Sequence, residues 1–430
     1  MKKLHDLFGY RRTRHSLQTE IFAGFSTFIV MAYILALAPQ AFEGIGGEAD
    51  PFPTDALFTA TALISIVSTA LMAMYAKRPL AAAPGVGLLY FVSGTLCTTL
   101  GYSWHFALTA IFLEGILFTV LSFSGIRQYI MECIPISLRS AIAVGVGFFL
   151  ASIGLKNAHI IDASSDIMAL ANFTTEPEKQ LFAICILVSG ILITWKVKGA
   201  IFFSIVISTI IGIPMGLTHF DSLVQMPSSP MPLCCQMEWS TEILSIDMLV
   251  CVVSILFLDL FDTIGTVMGV LGNSSLSRPN GRIIGMSRIL QVDAISSCLS
   301  GLFGTTTCTT YLESAAGVTE GGRTGVTAMV TALCFALALF LSPLFLAIPS
   351  VVTGAILLIV SFQLFGAIKH INLSDPIEAI PSVLVILVMT ILGSISDGMV
   401  VGIITYAVFN FVSDLKKERE RKKTGSIFSD

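Results

Sequence analysis

An all-α polytopic membrane protein of 14 transmembrane segments, built as two inverted 7-segment repeats, is the fold class this sequence predicts, and three observations predict it. The first is composition. Of 430 residues, 54% are hydrophobic and only 12% charged, and the apolar runs reach the roughly 20 residues needed to cross a hydrocarbon core. The second is the placement of Lys and Arg along the chain. The third is a pair of interrupted hydrophobic segments at matching positions in the two halves, the pattern of inverted-repeat transporters.

The hydrophobic elements fall at about 21–40, 56–76, 82–99, 104–124, 137–155, 179–195, 199–217, 244–271, 289–303, 304–320, 324–342, 350–366, 379–393 and 397–414. Residues 1–20 are basic but lack an apolar stretch ending in a small-residue cleavage site, so they read as a cytoplasmic leader. With that end inside, the inside connections collect Lys2, Lys3, Arg11, Arg12, Arg14, Lys77, Arg78, Arg127, Arg139, Lys196, Lys198, Arg278, Arg282, Arg288, Arg323, Lys369 and the basic residues of the tail 415–430. Only Lys156 and Lys179 fall outside, a division of 22 against 2 among the 24 basic residues. A missed or extra span would scramble that asymmetry, so the count is expected to be even, with both termini cytoplasmic in a plasma (inner) membrane. The outside loops are acidic, with Glu43, Glu48, Asp50 and Asp55 in one and Asp162, Asp166, Glu176 and Glu178 in another.

Residues 21–217 form the first repeat and 244–414 the second, joined by an extracellular or periplasmic loop over 218–243. Seven is odd, so the second copy enters the membrane from the opposite side. The third element, Ala81-Ala-Ala-Pro84-Gly85-Val-Gly87, is broken near its start by Pro and two Gly. The tenth opens on the Thr-rich, β-favouring run Thr305 to Tyr311 before a small-residue helix begins near Glu313. Irregular backbone survives at membrane depth only where protein or a watery cavity satisfies its N–H and C=O groups, so these breaks mark a binding region near the midplane.

Acids occur where hydrophobic segments should carry none. Asp259 and Asp262 lie three apart on one helical face, which Thr263 and Thr266 continue, and Glu313 sits at the start of the tenth-segment half-helix, near its positive end. An ionisable side chain at that depth costs roughly 2.5–3.5 kcal/mol on insertion scales, so it faces a cavity, a partner or a translocation route. Two carboxylates so close in a dry site resist being charged together, which suits one of them to holding a proton. The structural alternative for Asp259 and Glu313 is capping of half-helix N–H groups. Glu114 reads as a helix–helix anchor, and Asp293 and Glu320 as interfacial or inter-helix pairing.

Other chemistries find no support. There is no Gly-x-x-x-x-Gly-Lys-[Ser/Thr] phosphate loop for ATP. Asp262-Thr-Ile-Gly265 lacks the Asp-Thr-Gly turn of an aspartic protease. The nine Cys and six His show no metal-ligand spacing, and the vicinal Cys234–Cys235 pair reads as free thiols because a disulfide between neighbours is strained. No enzyme activity, cofactor, metal or nucleic-acid partner is expected.

Several motifs together carry a resemblance: Phe8-Gly9-Tyr10, the first span around Ala23 to Tyr33, Ala83-Pro-Gly-Val-Gly-Leu88, Gly101-Tyr-Ser-Trp104, Ile153-Gly-Leu-Lys-Asn157, Leu258-Asp-Leu-Phe-Asp-Thr263 and Glu313-Ser-Ala-Ala-Gly-Val-Thr-Glu-Gly-Gly-Arg-Thr-Gly325. Running through nearly the whole chain, they resemble the xanthine/uracil permease family, in its hypoxanthine/guanine (AzgA-like) branch. The resemblance implies a fourteen-segment fold divided into core and gate domains, a homodimer, and movement of nucleobases with protons. It places substrate binding on Asp259 with Thr263, and on Glu313 with Tyr311 and Leu312, and it adds backbone at the broken third segment near Leu89 and Tyr90. Proton coupling falls to Asp259, Glu313 and Asp262. In one departure, Leu89 stands where the purine branch carries an Asn. Leu can neither donate nor accept, so Tyr90 is expected to offer a ring face or a hydroxyl instead.

The function expected is a proton-coupled symporter of a guanine/hypoxanthine-type purine working by alternating access. The alternatives are sodium as coupling ion, a uracil or xanthine carrier of the same fold, a small-anion carrier, or a cation channel. The absence of Lys and Arg between Cys251 and Val270 and between Gly304 and Ala316 weighs against a fixed anion.

Overall fold

The structure is a computed structural model that describes residues 7–10, 16–47, 50–124, 135–160, 176–197, 199–218, 222, 224–239, 241–271, 274–277, 283–391, 393 and 395–427. Lys2, Lys3, Arg11, Arg12, Arg14, Arg127, Lys198, Arg278 and Arg282, with Glu48, Asp162 and Asp166, lie outside the described residues.

Among the described residues, eight helices are long and apolar enough to cross a membrane: Leu17–Ala41, Thr54–Ala76, Trp104–Ser124, Ile136–Asn157, Pro177–Thr194, Ile246–Leu271, Gly325–Leu346 and Ser350–His370. They match expected segments one, two, four, five, six, eight, eleven and twelve. Shorter apolar helices at Val86–Thr99, Ala200–Gly212, Pro376–Ile391 and Asp397–Ser413 match the third, seventh, thirteenth and fourteenth. The ninth is the helix Met286–Phe303, and the tenth holds only the six-residue helix Ser314–Thr319. The last helix extends beyond its apolar part, from Ile395 to Ile427, so most of the charged tail continues as helix.

Backbone contacts divide the chain into two compact units. One comprises Met1–Arg127 with Ile153–Ile359, and the other Gln128–Ser152 with Val360–Asp430. Every acid named above as a candidate lies in the first, which is the unit that concerns function.

Both interrupted segments are extended at their breaks. Ala82–Pro84 (β1) pairs antiparallel with Cys308–Thr310 (β2), Ala82 opposite Thr310, Ala83 opposite Thr309 and Pro84 opposite Cys308. The pairing satisfies backbone groups that no lipid could satisfy. It extends past the strands: Gly85 N–H donates to the Thr307 carbonyl at 3.1 Å, and Tyr311 N–H to the Ala81 carbonyl at 3.0 Å. Side chains complete the seal. Ser314 Oγ accepts from Ala81 N–H at 3.0 Å, and Thr69 Oγ1 both donates to the Ala82 carbonyl at 2.9 Å and accepts from its N–H at 3.1 Å.

Close packing sets the strands' neighbours in place. Gly304, at φ 75°, ends the ninth segment and turns the chain into the Thr run; a Cβ there would come within 2.3 Å of the Leu233 carbonyl oxygen. Gly317 lets the tenth-segment helix lie against the first segment, where a Cβ would come 2.5 Å from the Ala23 carbonyl oxygen and 2.3 Å from Thr27 Oγ1. The first segment is itself jointed. Its helix runs Leu17–Met31, turns at Ala32–Tyr33, and resumes as Ile34–Ala41.

Candidate substrate site

Glu313 occupies the residue preceding the helix Ser314–Thr319 and is buried. Its carboxylate makes no side-chain cap to that helix. It turns to the first segment, where Tyr33 at the joint donates its hydroxyl to Glu313 Oε1 at 2.7 Å. Tyr33 is buried, where a phenol needs a partner. Asp262 lies in the electrostatic surroundings of Glu313, and both acids, with Tyr311, surround Tyr33. The Thr309 side chain on β2 approaches Asp262. Segments one, eight and ten thus converge on one polar cluster beside the strand pair.

The second acid expected to bind substrate is Asp259. It is fully buried and accepts from Ser297 Oγ at 3.0 Å, with Thr263 Oγ1 at 3.5 Å. The Thr263 hydroxyl donates to Asp293 Oδ1 at the shorter distance of 2.8 Å. Asp293, read as interfacial or inter-helix pairing, is fully buried within the ninth segment and bridges to the eighth. The result is a second carboxylate pair, Asp259 and Asp293, laced by two hydroxyls. Ser297 also lies 3.3 Å from the Cys308 carbonyl on β2, so this network abuts the same strand.

The remaining expected residues divide by role. The Tyr311 hydroxyl donates to the Pro84 carbonyl and so fastens β2 to β1, while the residue stays in the electrostatic surroundings of Glu313 and Asp262. Leu312 packs on the apolar cluster of Met72, Leu80, Val267 and Leu271. Leu89 and Tyr90 are buried on the short helix Val86–Tyr90 that follows β1, and the Tyr90 hydroxyl approaches Asn157. The hydroxyls of Thr305, Thr306 and Thr307 are buried without a hydrogen-bond partner among the described residues, donors that water or a polar solute would satisfy.

Sequence reasoning missed Tyr33, Thr309 and Ser297. Tyr33 carried a usable signal, a phenol in the middle of an apolar span. Thr309 and Ser297 resembled their many hydroxyl-bearing neighbours, and only strand pairing and helix crossing single them out.

A multi-pass bundle with acids gathered at two paired chain breaks in its interior defines a membrane transporter rather than an enzyme. Residues 18–404 match the profile of the xanthine/uracil permeases, described as "Permease family", and the chain belongs to that family. It is 33% identical over 410 residues to guanine/hypoxanthine permease PbuO of Bacillus subtilis, covering 94% of this chain and 93% of that one. Adenine permease AdeP of Escherichia coli is 32% identical over 405 residues, covering 94% and 90%. Among solved structures, the transmembrane domain of a cyanobacterial bicarbonate transporter, BicA, superposes with a TM-score of 0.65 over 91% of this chain and 98% of that one, at 16% identity, a likeness of fold.

Proposed function

We propose that this protein is a proton-coupled symporter of a purine nucleobase, of the guanine/hypoxanthine type, that exposes its site to one face of the membrane at a time. The observation that carries the reading is the Tyr33–Glu313–Asp262 cluster beside the β1–β2 pair. A purine presents ring N–H donors on one edge, and a carboxylate held by Tyr33 through one oxygen keeps its other oxygen for such donors. Two neighbouring acids with no Arg or Lys between Cys251 and Val270 or between Gly304 and Ala316 suit one proton shared between them and a neutral solute. Asp259 and Asp293 offer a second proton station one layer behind. The cluster disfavours an anion as cargo. The relatives' printed substrates, guanine, hypoxanthine and adenine, point to purines.

In this reading, substrate contacts come from Glu313, Asp262 and Tyr33, with Tyr90 and the strand backbone nearby, and Asp259 with Thr263 orders the eighth segment behind them. The protein sits in the plasma membrane as a homodimer with cytoplasmic termini. Labelled hypoxanthine uptake into proteoliposomes tests it: an inward proton gradient should drive accumulation and preloaded base should give counterflow. Uptake that ignores the proton gradient but follows sodium would refute the coupling, and uptake without saturation or counterflow would indicate a channel.

Tyr33→Phe keeps the ring and removes the donor to Glu313. Loss of one hydrogen bond to a charged group is worth about 1.5–3 kcal/mol, so uptake efficiency should fall roughly tenfold or more with little change in the amount of protein in the membrane. Uptake kinetics normalised to protein level measure this, and unchanged efficiency would remove Tyr33 from the site.

A further inference from the structure

The end of the specific motif, Gly321-Gly322-Arg323-Thr324, plays no part in the cluster around Glu313. It forms one wall of a cavity of about 850 Å³. The other walls are segment ends: Ser16 and Thr19 open the first segment, Lys77 and Arg78 close the second, and Ser275, Leu276 and Ile284 belong to the connection between eighth and ninth. All are in the first compact unit.

Among the described residues that line this cavity are three cations, Lys77, Arg78 and Arg323, and no carboxylate. The guanidinium groups are held by neutral carbonyls. Arg78 Nε donates to the Ile284 carbonyl at 2.7 Å, and Arg323 Nη1 to those of Val318 and Gly322. Carbonyls fix orientation without cancelling charge. The carboxylate of Glu20, a neighbouring acid, accepts from the N–H groups of Arg323 and Thr324 and from the Thr327 hydroxyl. Burial first, and the neighbouring Arg288 second, press Arg78 below the usual guanidinium pKa. Gly285, at φ 84°, allows this closeness, since a Cβ there would stand 2.8 Å from Arg78 Nη2. Hydroxyls of Ser16, Thr19 and Thr324 add donors around the cations.

Rigid guanidinium forks with an ammonium and hydroxyls form a donor set that matches a phosphate group in shape and charge. From this arrangement we infer that the cavity binds the phosphate of an anionic ligand, either the phosphodiester of an acidic lipid headgroup or a soluble phosphate. The inference stands apart from the choice of transported solute. A ligand there would also bear on transport, because the Gly321–Thr324 turn closes the short helix that starts beside Glu313.

The test uses the purified full-length protein. Its thermal unfolding midpoint is followed against inorganic phosphate at constant ionic strength, and separately in phosphatidylglycerol and phosphatidylcholine nanodiscs. The expected result is a rise of the midpoint with phosphate, with phosphatidylglycerol over phosphatidylcholine, or with both. The first response identifies a soluble phosphate and the second a lipid headgroup. In Arg78→Gln and Arg323→Gln, about tenfold more of the responding ligand should be needed, one charged hydrogen bond's worth of affinity. Lys77→Asn serves where an Arg variant fails to fold, since Lys77 sits at φ 56° and Asn tolerates that conformation. The inference is overturned if chloride at matched ionic strength stabilises as well as phosphate and the two nanodisc compositions give the same midpoint, or if the folded variants respond like the wild type.

Discussion

Glu313→Gln is expected to abolish accumulation of labelled base in proteoliposomes, with initial uptake down by about 100-fold or more. The amide can still accept from Tyr33, so the joint between first and tenth segments should hold. Under the proposed function, what disappears is the charge that would attract ring N–H donors and the ability to load and release a proton. Hydrogen bonds to an ionised partner are roughly twice as strong as neutral ones, and two of them account for a loss of that size. Asp262→Asn should act in the same direction because the two acids share surroundings. The informative readout is the comparison of accumulation with counterflow. A variant that exchanges preloaded base yet cannot concentrate it has lost coupling while keeping the site. Wild-type accumulation by both variants would move the site elsewhere.

The second large effect concerns stability. Glu20 is buried at the start of the first segment and accepts from Arg323 N–H at 3.2 Å, Thr324 N–H at 3.2 Å and Thr327 Oγ1 at 2.5 Å. Thr324 is the residue that caps the eleventh segment, its own side chain accepting from Val326 N–H. A carboxylate there answers orphan donors and the positive helix end together. Glu20→Ala would leave two backbone donors and a hydroxyl buried without a partner, at about 1–3 kcal/mol each before relaxation. The expected outcome is a drop of about 3 kcal/mol or more in stability, seen as a lower unfolding midpoint and less folded protein in the membrane. Glu20→Gln should recover part of the loss, because its single carbonyl oxygen still accepts. If Glu20→Ala unfolds at the wild-type midpoint, the carboxylate is not the fastener its hydrogen bonds indicate.

Much of this was legible in the chain because membrane physics leaves few options. A long apolar run has to be a helix, and a run broken by Pro84 and Gly85 or by consecutive Thr residues has to find backbone partners inside the protein. The breaks and the acids followed from that. Which acid faces which did not. Asp259 and Asp262 share a helical face, and their spacing alone cannot tell that the ninth segment brings Ser297 and Asp293 to one of them while β2 brings Thr309 to the other. Helix crossings decide it, and those depend on small residues far apart in sequence, such as Gly115, where a Cβ would meet the Cys298 backbone at 2.4 Å. Tyr33 stood out as a phenol within an apolar span, but nothing in Met31-Ala-Tyr-Ile34 announces the joint that brings its hydroxyl to Glu313.

The pairing of Ala82 with Thr310 has a consequence for biogenesis. Its two partners leave the ribosome far apart in time, so the earlier strand cannot complete its ladder until most of the later half has been made and inserted. Until then its open edge needs shelter from lipid, by the insertion machinery or by provisional contacts. Ribosome-bound chains truncated before residue 308 should therefore remain crosslinkable to that machinery at Ala83, and the crosslink should vanish once the complementary edge arrives.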